Sequence, residues 1–489
     1  MPSPVILADI IQVIIDTVKH PLATFPSFQP FSFLSSPCSF SEGIFFPYNS
    51  QNITFSIAVF YVILYAMKRL AFGMLLFGFM LIGCQINTAP PVQKPNVIVE
   101  ATAVPVVSST PDPTEVPSPV PTETPTTEPT ASPTPEPSEE ERLHAYIAGM
   151  SLEDRIGQLC MFGFSGTSKV SSEFAELMNT YHIGNVILYG QNIERGDKDG
   201  GFARCLRLTD SIRAASPIDI PLLISTDVEG GNVTRFHWGK SLSSARTLGS
   251  KYDTELAKEQ FAYIGEGLLS AGINVDLAPV LDVTKEPGDH FLGKRIISSD
   301  AQAVADIGIA CIEGLHEAGV LSVVKHYPGH GAANTDSHDK TPVVEKSIDS
   351  LRGYDFVPFR AAIQNGADGV MVAHILYTAI DDSNIATLSE ILIQKQLREE
   401  YAYDGIVMCD DFRMAGLRKQ ASLDRAAVQF LLAGGDMILC GANHNYQKTI
   451  LAGLYSAYEN GILTDERINE SVFRILTAKM RVTDWTVPY

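Results

Sequence analysis

The sequence has 489 residues, enough for more than one domain, and it is acidic, with 56 Asp and Glu against 36 Lys and Arg and a formal net charge of −20. A nucleic-acid-binding protein would present a basic surface to phosphates, so this composition argues against a nucleic-acid partner. The seven cysteines form no Cys-x-x-Cys pair. Cys160, Cys311, Cys409 and Cys440 lie in or beside apolar runs, which favours buried free thiols over a disulfide framework.

The N-terminal part of the chain contains a strongly apolar tract over residues 56–84. Within it, residues 67–84 have a short basic start followed by an apolar run, which is typical of a secretory signal. The last four residues, Leu81-Ile-Gly-Cys84, resemble the lipobox of bacterial lipoproteins, which implies that Cys84 is lipidated. The alternative is an uncleaved transmembrane helix, since a bilayer needs about 20 apolar residues. We interpret residues 1–66 as a leader without structure and Met67 as the true start.

Residues 85–141 are rich in Pro, Thr, Ser and Glu. Such a composition cannot build a core, and proline favours extended backbone, so we expect a disordered, semi-rigid linker. A signal, a lipidated Cys84 and a linker together predict a bacterial protein that is extracytoplasmic and anchored to the cell membrane by lipid.

Residues 142–489 are predicted to form one catalytic domain. Eight short apolar runs alternate there with helix-length amphipathic segments. The runs are 160–164, 186–188, 222–226, 275–280, 321–324, 370–373, 406–409 and 437–439. Alternating strands and helices indicate right-handed βαβ units and a parallel sheet, and eight units predict a closed (β/α)8 barrel of the TIM type. A doubly wound sheet is the alternative.

Ionisable residues follow several of these predicted strands. Asp227 follows the third strand, Lys325 and His326 the fifth, and Asp410 and Asp411 the seventh. Barrel active sites form at the carboxyl ends of the strands, so we expect these side chains to surround one opening. Each residue alone could equally brace the rim in an ion pair, but the whole set favours a site for a polyhydroxylated ligand.

The segment after the fifth strand is unusually rich in titratable groups. Five of them fall within fourteen positions: Lys325, His326, His330, Asp336 and His338. One interpretation is a satisfied core histidine, and another is a zinc site, although a proline and a glycine between His326 and His330 break the helix that would align them. We prefer a catalytic dyad in which Asp336 orients His338.

Four motifs occur in order along the domain. They are Asp227-Val-Glu-Gly-Gly231, Asn274-Val-Asp-Leu-Ala-Pro-Val-Leu-Asp-Val283, Lys325-His-Tyr-Pro-Gly-His-Gly331 with Asp336-Ser-His338, and Cys409-Asp-Asp-Phe-Arg-Met414. With this set the chain resembles glycoside hydrolase family 3 over residues 145–480. More narrowly, it resembles the bacterial β-N-acetylglucosaminidase branch, whose signature is a similar Lys-His-(Phe/Tyr)-Pro-Gly-His-Gly segment leading to an Asp-x-His dyad.

The resemblance implies a retaining exo-glycosidase (a β-N-acetylhexosaminidase) that removes terminal, non-reducing β-linked N-acetylglucosamine from peptidoglycan fragments or related glycans, without cofactor or metal. It makes Asp410 the nucleophile and His338, paired with Asp336, the general acid/base. The residues implied to hold the sugar are Asp227, Arg235, Arg295, Lys325 and His326. Asp411 is a rival nucleophile, but consecutive strand residues point to opposite faces, so we expect only one of the two acids to face the pocket.

The glycine-rich surroundings of His338 suggest a loop that moves, so that the dyad lies far from Asp410 until a substrate binds. Two alternative functions stay open. Because an imidazole does not repel an anion as a carboxylate does, inorganic phosphate could replace water and make the enzyme a phosphorylase. A membrane-tethered solute-binding lipoprotein is the alternative without catalysis. We expect a monomer.

Overall fold

The computed structural model describes residues 136–193, 201–333 and 335–488. The predicted leader, the signal segment, Cys84 and nearly all of the linker lie outside these residues. The first described helix begins at Glu139, inside the last residues of the predicted linker. Its start is fixed by a capping box, in which the Ser138 hydroxyl accepts from the Glu141 N–H at 3.1 Å and the Glu141 carboxylate accepts from the Ser138 N–H at 2.7 Å.

Ten strands are present in the described residues. They are β1 (Cys160–Gly163), β2 (Asn185–Ile187), β3 (Leu223–Thr226), β4 (Val275–Asp276), β5 (Leu321–Tyr327), β6 (Val343–Val344), β7 (Gly369–Val372), β8 (Leu376–Tyr377), β9 (Ile406–Cys409) and β10 (Ile438–Cys440). Eight of them form one parallel sheet in the order β10-β1-β2-β3-β4-β5-β7-β9. Each of the eight predicted apolar runs overlaps one strand of this sheet, and the single parallel sheet of eight strands confirms the (β/α)8 barrel over the doubly wound sheet.

The barrel closes between β9 and β10. Met408 and Met437 form a parallel bridge, and the Cys409 N–H donates to the Met437 carbonyl at 3.2 Å. Beside this contact the buried carboxylate of Asp436 accepts from the Val407 N–H at 2.8 Å. The same carboxylate forms ion pairs with Arg398 and with Arg474. The buried acid just before β10 thus binds the backbone of β9.

Helices surround the strands. In the described residues they are Glu139–Gly149, Leu152–Gln158, Ser172–Tyr181, Phe202–Ala214, Ala245–Lys251, Thr254–Ser270, Ala301–Ala318, Ile348–Arg352, Phe356–Gln364, Ala415–Arg418, Leu423–Leu432, His444–Glu459 and Asp465–Val482, with a π-helix at Ile391–Glu400. Ala301–Ala318 shows why they form where they do. Asp300 caps its start by accepting from the Gln302 N–H, and Gly319 ends it with φ of 83°.

The strands are buried on both faces, as parallel strands between a core and a layer of helices must be. Five cysteines lie in the described residues, and all five are buried and free, which confirms the prediction of free thiols for this part of the chain. Across these same residues we find no helix that combines the length and the apolarity needed to cross a membrane.

Strands β4 and β5 differ in length from the predicted runs 275–280 and 321–324. Strand β4 ends at Asp276, yet the chain stays paired with β5 further on through a bridge between Val280 and Lys325. Strand β5 runs on to Tyr327, so Lys325 and His326 belong to a strand rather than to the loop after it. Opposite β7 the register of β5 shifts between Lys325 and Tyr327. An irregularity of this kind breaks the alternation of side chains, so Lys325 and His326 both line the same cavity.

A second, two-stranded sheet was not predicted. Strands β6 and β8 pair in parallel, with Val343 opposite Leu376 and Val344 opposite Tyr377. Two residues a strand are too few to give a periodic pattern in the sequence. This small sheet connects the end of the loop after β5 to the loop after β7.

Candidate active site

A cavity of about 470 Å³ lies at the carboxyl ends of the barrel strands. Seven of the predicted site residues line it: Asp227, Arg235, Arg295, Lys325, His326, His338 and Asp410. Asp336, the eighth, contacts the cavity wall through His338. The structure therefore brings together side chains from four strands and their loops at the end of the barrel where the sequence placed them.

Lys325 is the buried cation of the cavity floor. Its Nζ lies 2.8 Å from Asp227 Oδ1 and 2.7 Å from Glu229 Oε1. Asp227 also pairs through Oδ2 with Arg235 Nη2 at 2.7 Å. Burial opposes ionisation of Asp227, but the two cations outweigh it and hold its pKa well below the usual range. Asp227 is therefore charged, and its position is fixed by Lys325 and Arg235.

Glu229 is a site residue that the sequence analysis missed. Its carboxylate is buried and accepts from Arg295 Nε at 2.8 Å and from Arg295 Nη2 at 2.9 Å, while it also pairs with Lys325. Burial raises the pKa of Glu229, but Lys325 and Arg295 lower it by more, so the pKa lies below its usual value. The signal in the sequence is the spacing, because Glu229 follows Asp227 by two positions. Glu229 places both cations against the cavity.

His326 is oriented by a second buried acid, Asp282. The His326 Nδ1 lies 2.6 Å from Asp282 Oδ2, and Asp282 Oδ1 accepts from the His330 N–H at 2.6 Å. Since Nδ1 is occupied, Nε2 is the ring nitrogen of His326 left for the cavity, where it lies 3.4 Å from Arg295 Nη2. Asp282 lies in the second of the four sequence motifs, but its role as the partner of His326 depends on the fold.

Both acids after β9 line the cavity, so the prediction that only one would face it is wrong. The strand ends at Cys409, and alternation does not continue into the loop that carries them. They differ instead in their partners. Asp411 accepts from the Tyr189 hydroxyl at 2.7 Å and pairs with Arg413 Nη2 at 2.7 Å. Among the described residues, the hydrogen bond found for the Asp410 carboxylate is one from the Asp411 N–H at 2.7 Å.

The surroundings of Asp410 favour its ionised form. Removal from bulk water raises the pKa of this carboxyl, but His326, His374 and the Asp411 N–H together lower it below the ordinary value. His374 is itself fixed, with Nδ1 2.7 Å from the Thr387 hydroxyl and Nε2 3.2 Å from the Asp411 carbonyl. Asp410 is thus a charged carboxylate for which the described residues show no Lys or Arg partner.

The dyad lies at the mouth of the same cavity. The His338 Nδ1 is 2.7 Å from Asp336 Oδ1, which also accepts from the His338 N–H at 2.9 Å. Partial burial opposes ionisation of Asp336, but these two bonds lower its pKa below the usual value. His338 and Asp410 line the same cavity, and the separation of the dyad from Asp410 before a substrate binds stays a prediction. Movement of the loop stays a prediction.

The two histidines considered for zinc have other partners. His326 is held by Asp282, and the His330 Nε2 lies 2.8 Å from the Ser337 hydroxyl. Over residues 136–193, 201–333 and 335–488, His, Cys, Asp and Glu side chains form no group of three or more with the arrangement of a metal site.

These features define a (β/α)8 barrel whose cavity combines a carboxylate with no Lys or Arg partner among the described residues, a carboxylate–imidazole dyad and a wall of fixed cations. The sequence matches the family model of the glycosyl hydrolase family 3 N-terminal domain over residues 151–478. The chain belongs to this family. The family resemblance seen in its motifs is thereby confirmed.

Curated relatives support the same family. Beta-hexosaminidase A of Pseudoalteromonas piscicida is 31% identical over 336 residues, which cover 63% of this chain and 55% of that protein. Beta-hexosaminidase of Tolumonas auensis is 35% identical over 294 residues, covering 58% and 84%. The chain therefore matches little more than half the length of the first relative and most of the second.

Solved structures show the same barrel. A glycoside hydrolase family 3 beta-N-acetylglucosaminidase from Paenibacillus sp. str. FPU-7 is 36% identical with a TM-score of 0.64, over 68% of this chain and 63% of that one. Beta-N-acetylhexosaminidase from Beutenbergia cavernae is 28% identical with a TM-score of 0.61, over 68% and 99%. The fold prediction is confirmed by this agreement.

Proposed function

We propose that the protein is a retaining β-N-acetylhexosaminidase that hydrolyses terminal, non-reducing β-linked N-acetylglucosamine. The observation that carries the proposal is the contrast among the acids of the cavity. Asp227, Glu229 and Asp411 each pair with a Lys or Arg, whereas Asp410 does not within the described residues. A carboxylate kept free beside an acid–base dyad is suited to attack on a sugar.

In the first step, the Asp410 carboxylate attacks the anomeric carbon, and the bond to the leaving oxygen breaks. His338, in its protonated form, donates the proton to that oxygen, and Asp336 stabilises the imidazolium before transfer. The product is a covalent glycosyl-enzyme. In most retaining glycosidases a second carboxyl group supplies this proton, and here an imidazole takes its place.

In the second step, His338 accepts a proton from water, and the water oxygen attacks the anomeric carbon. The bond to Asp410 breaks, the carboxylate is restored, and the sugar leaves with its β configuration retained. An imidazole can both give and take a proton, which a general acid/base must do in turn. One residue therefore serves both steps.

The remaining wall of the cavity would bind the sugar ring. Lys325, Arg295 and Arg235 provide donors to hydroxyl and carbonyl oxygens, and Asp227 accepts from hydroxyl groups. Because these side chains are already held in ion pairs, they need little reordering when a sugar enters. His326, oriented by Asp282, is proposed to join them at the same ring.

The N-acetyl preference is proposed from the names of the relatives, since the Paenibacillus protein is a beta-N-acetylglucosaminidase. Peptidoglycan fragments or related glycans are the proposed substrates. They agree with the proposed location, an extracytoplasmic monomer attached to the membrane by lipid at Cys84. Mass spectrometry of the native N-terminus tests that anchor, and finding residues 1–66 still attached would contradict it.

The test of activity uses an aryl N-acetyl-β-glucosaminide. We expect the wild type to release the aryl alcohol and the β-anomer of N-acetylglucosamine first, as followed by NMR, and the Asp410→Asn variant to be inactive. Wild-type-like turnover by Asp410→Asn, or first release of the α-anomer, would contradict the proposal. Product analysis on peptidoglycan fragments then identifies the leaving-group sugar.

The phosphorylase alternative is separated in the same assay. Its support is the imidazole acid/base, which does not repel an incoming phosphate as a carboxylate would. If phosphate is the natural acceptor, adding it yields a glycosyl phosphate in place of the free sugar. The solute-binding alternative is disfavoured by membership of a hydrolase family, and loss of turnover in Asp410→Asn would exclude it.

A further inference from the structure

The loop that carries the dyad is fixed at its centre. Ser337, between Asp336 and His338, is only 1% exposed, whereas the side chains of Asp336 and His338 are 40% and 69% exposed. The Ser337 hydroxyl lies 2.8 Å from His330 Nε2, and its carbonyl accepts from the Gly416 N–H at 2.9 Å. The residue inside the dyad is therefore held from two sides, while the reacting side chains reach outward.

The second of these contacts belongs to a larger interface with the helix Ala415–Arg418 and the residues after it. The Thr341 hydroxyl donates to the Gly416 carbonyl at 2.8 Å, and Gln420 Nε2 donates to the Thr341 oxygen at 3.0 Å. Lys419 Nζ donates to the Asp339 carbonyl at 2.8 Å. This helix begins in the segment that follows Asp410, so one segment carries the proposed nucleophile and also holds the loop of the proposed acid.

Gly416 allows the close approach. A Cβ atom added there would lie 3.0 Å from the Ser337 carbonyl oxygen and 3.1 Å from both the Cβ and the carbonyl oxygen of His374. These distances are too short to keep without a shift of the loop or of β7. Gly416 thus packs against both Ser337 of the dyad loop and His374, which follows β7.

We propose that Ser337, Thr341 and Gly416 are positioning residues that hold His338 at the cavity for proton transfer. The proposal rests on the proposed function, since it takes His338 as the acid/base. A general acid must lie within hydrogen-bond reach of the leaving oxygen, and an exposed histidine on a loop reaches that place only if its backbone is fixed. Loss of these bonds should impair proton donation and leave the attack by Asp410 largely intact.

Leaving groups of different acidity separate the two roles. A dinitrophenolate leaves without a proton, whereas the sugar alcohol of a β-linked N-acetylglucosamine disaccharide needs one. For both substrates kcat/KM reports the steps up to cleavage of the glycosidic bond, so the later water step does not mask the comparison. A defect in His338 placement lowers kcat/KM for the disaccharide selectively, and general damage to the fold lowers both.

The experiment measures both substrates with Ser337→Ala and Thr341→Val. We expect kcat/KM for the disaccharide to fall by about tenfold or more, within the contribution of general acid catalysis, while the value for the dinitrophenyl glycoside stays near wild type. Thr341→Ser, which keeps the hydroxyl, should restore the disaccharide rate. Two variants on opposite sides of the loop protect the test if one folds poorly.

Ser471→Ala is the matched control. Ser471 is also buried, and its hydroxyl lies 2.7 Å from Asp436 Oδ1 near the opposite ends of β9 and β10, away from the cavity. It should lower thermal stability without changing the ratio of the two rates. Equal losses on both substrates in Ser337→Ala and Thr341→Val, or no loss on either, would overturn the positioning role.

His338→Ala distinguishes failure of this inference from failure of the proposed function. If His338→Ala loses both substrates equally, His338 is not the general acid and the proposed mechanism fails. If His338→Ala is selective for the disaccharide but Ser337→Ala and Thr341→Val are not, the mechanism stands and the positioning inference fails.

Discussion

At the scale of single residues, the cavity shows how two adjacent acids come to differ. Asp411 accepts hydrogen bonds from the Tyr189 hydroxyl and from the Gly441 N–H at 3.2 Å, and it forms an ion pair with Arg413. Its carboxylate oxygens are therefore already bonded to residues of the cavity wall. Asp410 has the same chemistry but faces histidines rather than a fixed cation. The surroundings, and not the side chain, therefore decide which carboxylate can form a bond to a substrate.

This difference predicts unequal effects of the same substitution. Asp410→Asn should lower kcat on an aryl N-acetyl-β-glucosaminide by about 10⁴-fold, because removal of a catalytic group typically costs that much. Asp411→Asn should instead lower the free energy of unfolding by about 1–3 kcal/mol through weakened bonds to Tyr189 and Arg413. Steady-state kinetics and denaturant unfolding measure the two effects. A larger kcat loss for Asp411→Asn would make Asp411 the nucleophile.

Glu229 carries the second prediction at this scale. Glu229→Gln removes the charge shared by Lys325 and Arg295 and should raise KM and destabilise the fold by about 3–5 kcal/mol, as breaking a buried ion pair does. Glu313→Gln is the control, because Glu313 pairs with Lys258 at 3.4 Å on the surface and should change stability by less than about 1 kcal/mol. Equal unfolding midpoints for the two variants would contradict this role of Glu229.

At the scale of elements, the loops after β4 and β5 touch through backbone. A Cβ on Gly331 would lie 2.2 Å from the Val283 carbonyl oxygen, so the turn His330–Ala332 depends on glycine at that place. This contact restricts the path of the chain from β5 toward the dyad. Loop geometry at the cavity is therefore fixed by contact between neighbouring connections as well as by the strands.

Gly331→Ala should lower the free energy of unfolding by about 1–3 kcal/mol, the usual cost of forcing atoms into a filled space. It should also reduce turnover by displacing the dyad loop. Gly288→Ala is the matched control in the neighbouring connection, because a Cβ there meets no atom within 4 Å. Thermal unfolding and kinetics compare them, and identical behaviour of the two variants would show that the contact does not constrain the loop.

Elements with a strong pattern were the ones that sequence could predict. The eight barrel strands were found because buried parallel strands are continuous apolar runs, and the error at β4 arose because the apolar run continues past Asp276 into buried residues that are not in the strand. The site was predicted as a set of strand-end residues. Glu229 was missed because its partner Arg295 lies 66 positions away, and the hydrogen bond between them exists only after folding.

At the scale of the whole molecule, closure of the barrel has an electrostatic component. Asp436 is fully buried where β9 meets β10 and is surrounded by Arg398, Arg474 and the Val407 N–H. Burial raises the pKa of Asp436, but the arginines outweigh it and lower the pKa below its ordinary value of 3.8. The contact between β9 and β10 that closes the barrel therefore depends on the ionised form of Asp436.

This acid predicts how stability depends on pH. Because the unfolded chain binds the proton more tightly than folded Asp436 does, its contribution is complete above the unfolded pKa and is lost as pH falls through the lower, folded pKa. Asp436→Asn should be less stable than wild type at neutral pH and show a weaker fall in unfolding free energy between about pH 5 and pH 2. Urea unfolding across this range provides the measurement, and equal slopes would contradict it.

The division of the cavity has a consequence for how its chemistry can change. Lys325 and His326 belong to a barrel strand, whereas His338 belongs to a loop held by side contacts. Under the proposed function, the scaffold recognises the donor sugar, and the acceptor, whether water, phosphate or an alcohol, meets a separately exchangeable part. Changing residues of this loop other than Asp336 and His338 would then be the route to transglycosylation or phosphorolysis on the same donor, without rebuilding the barrel.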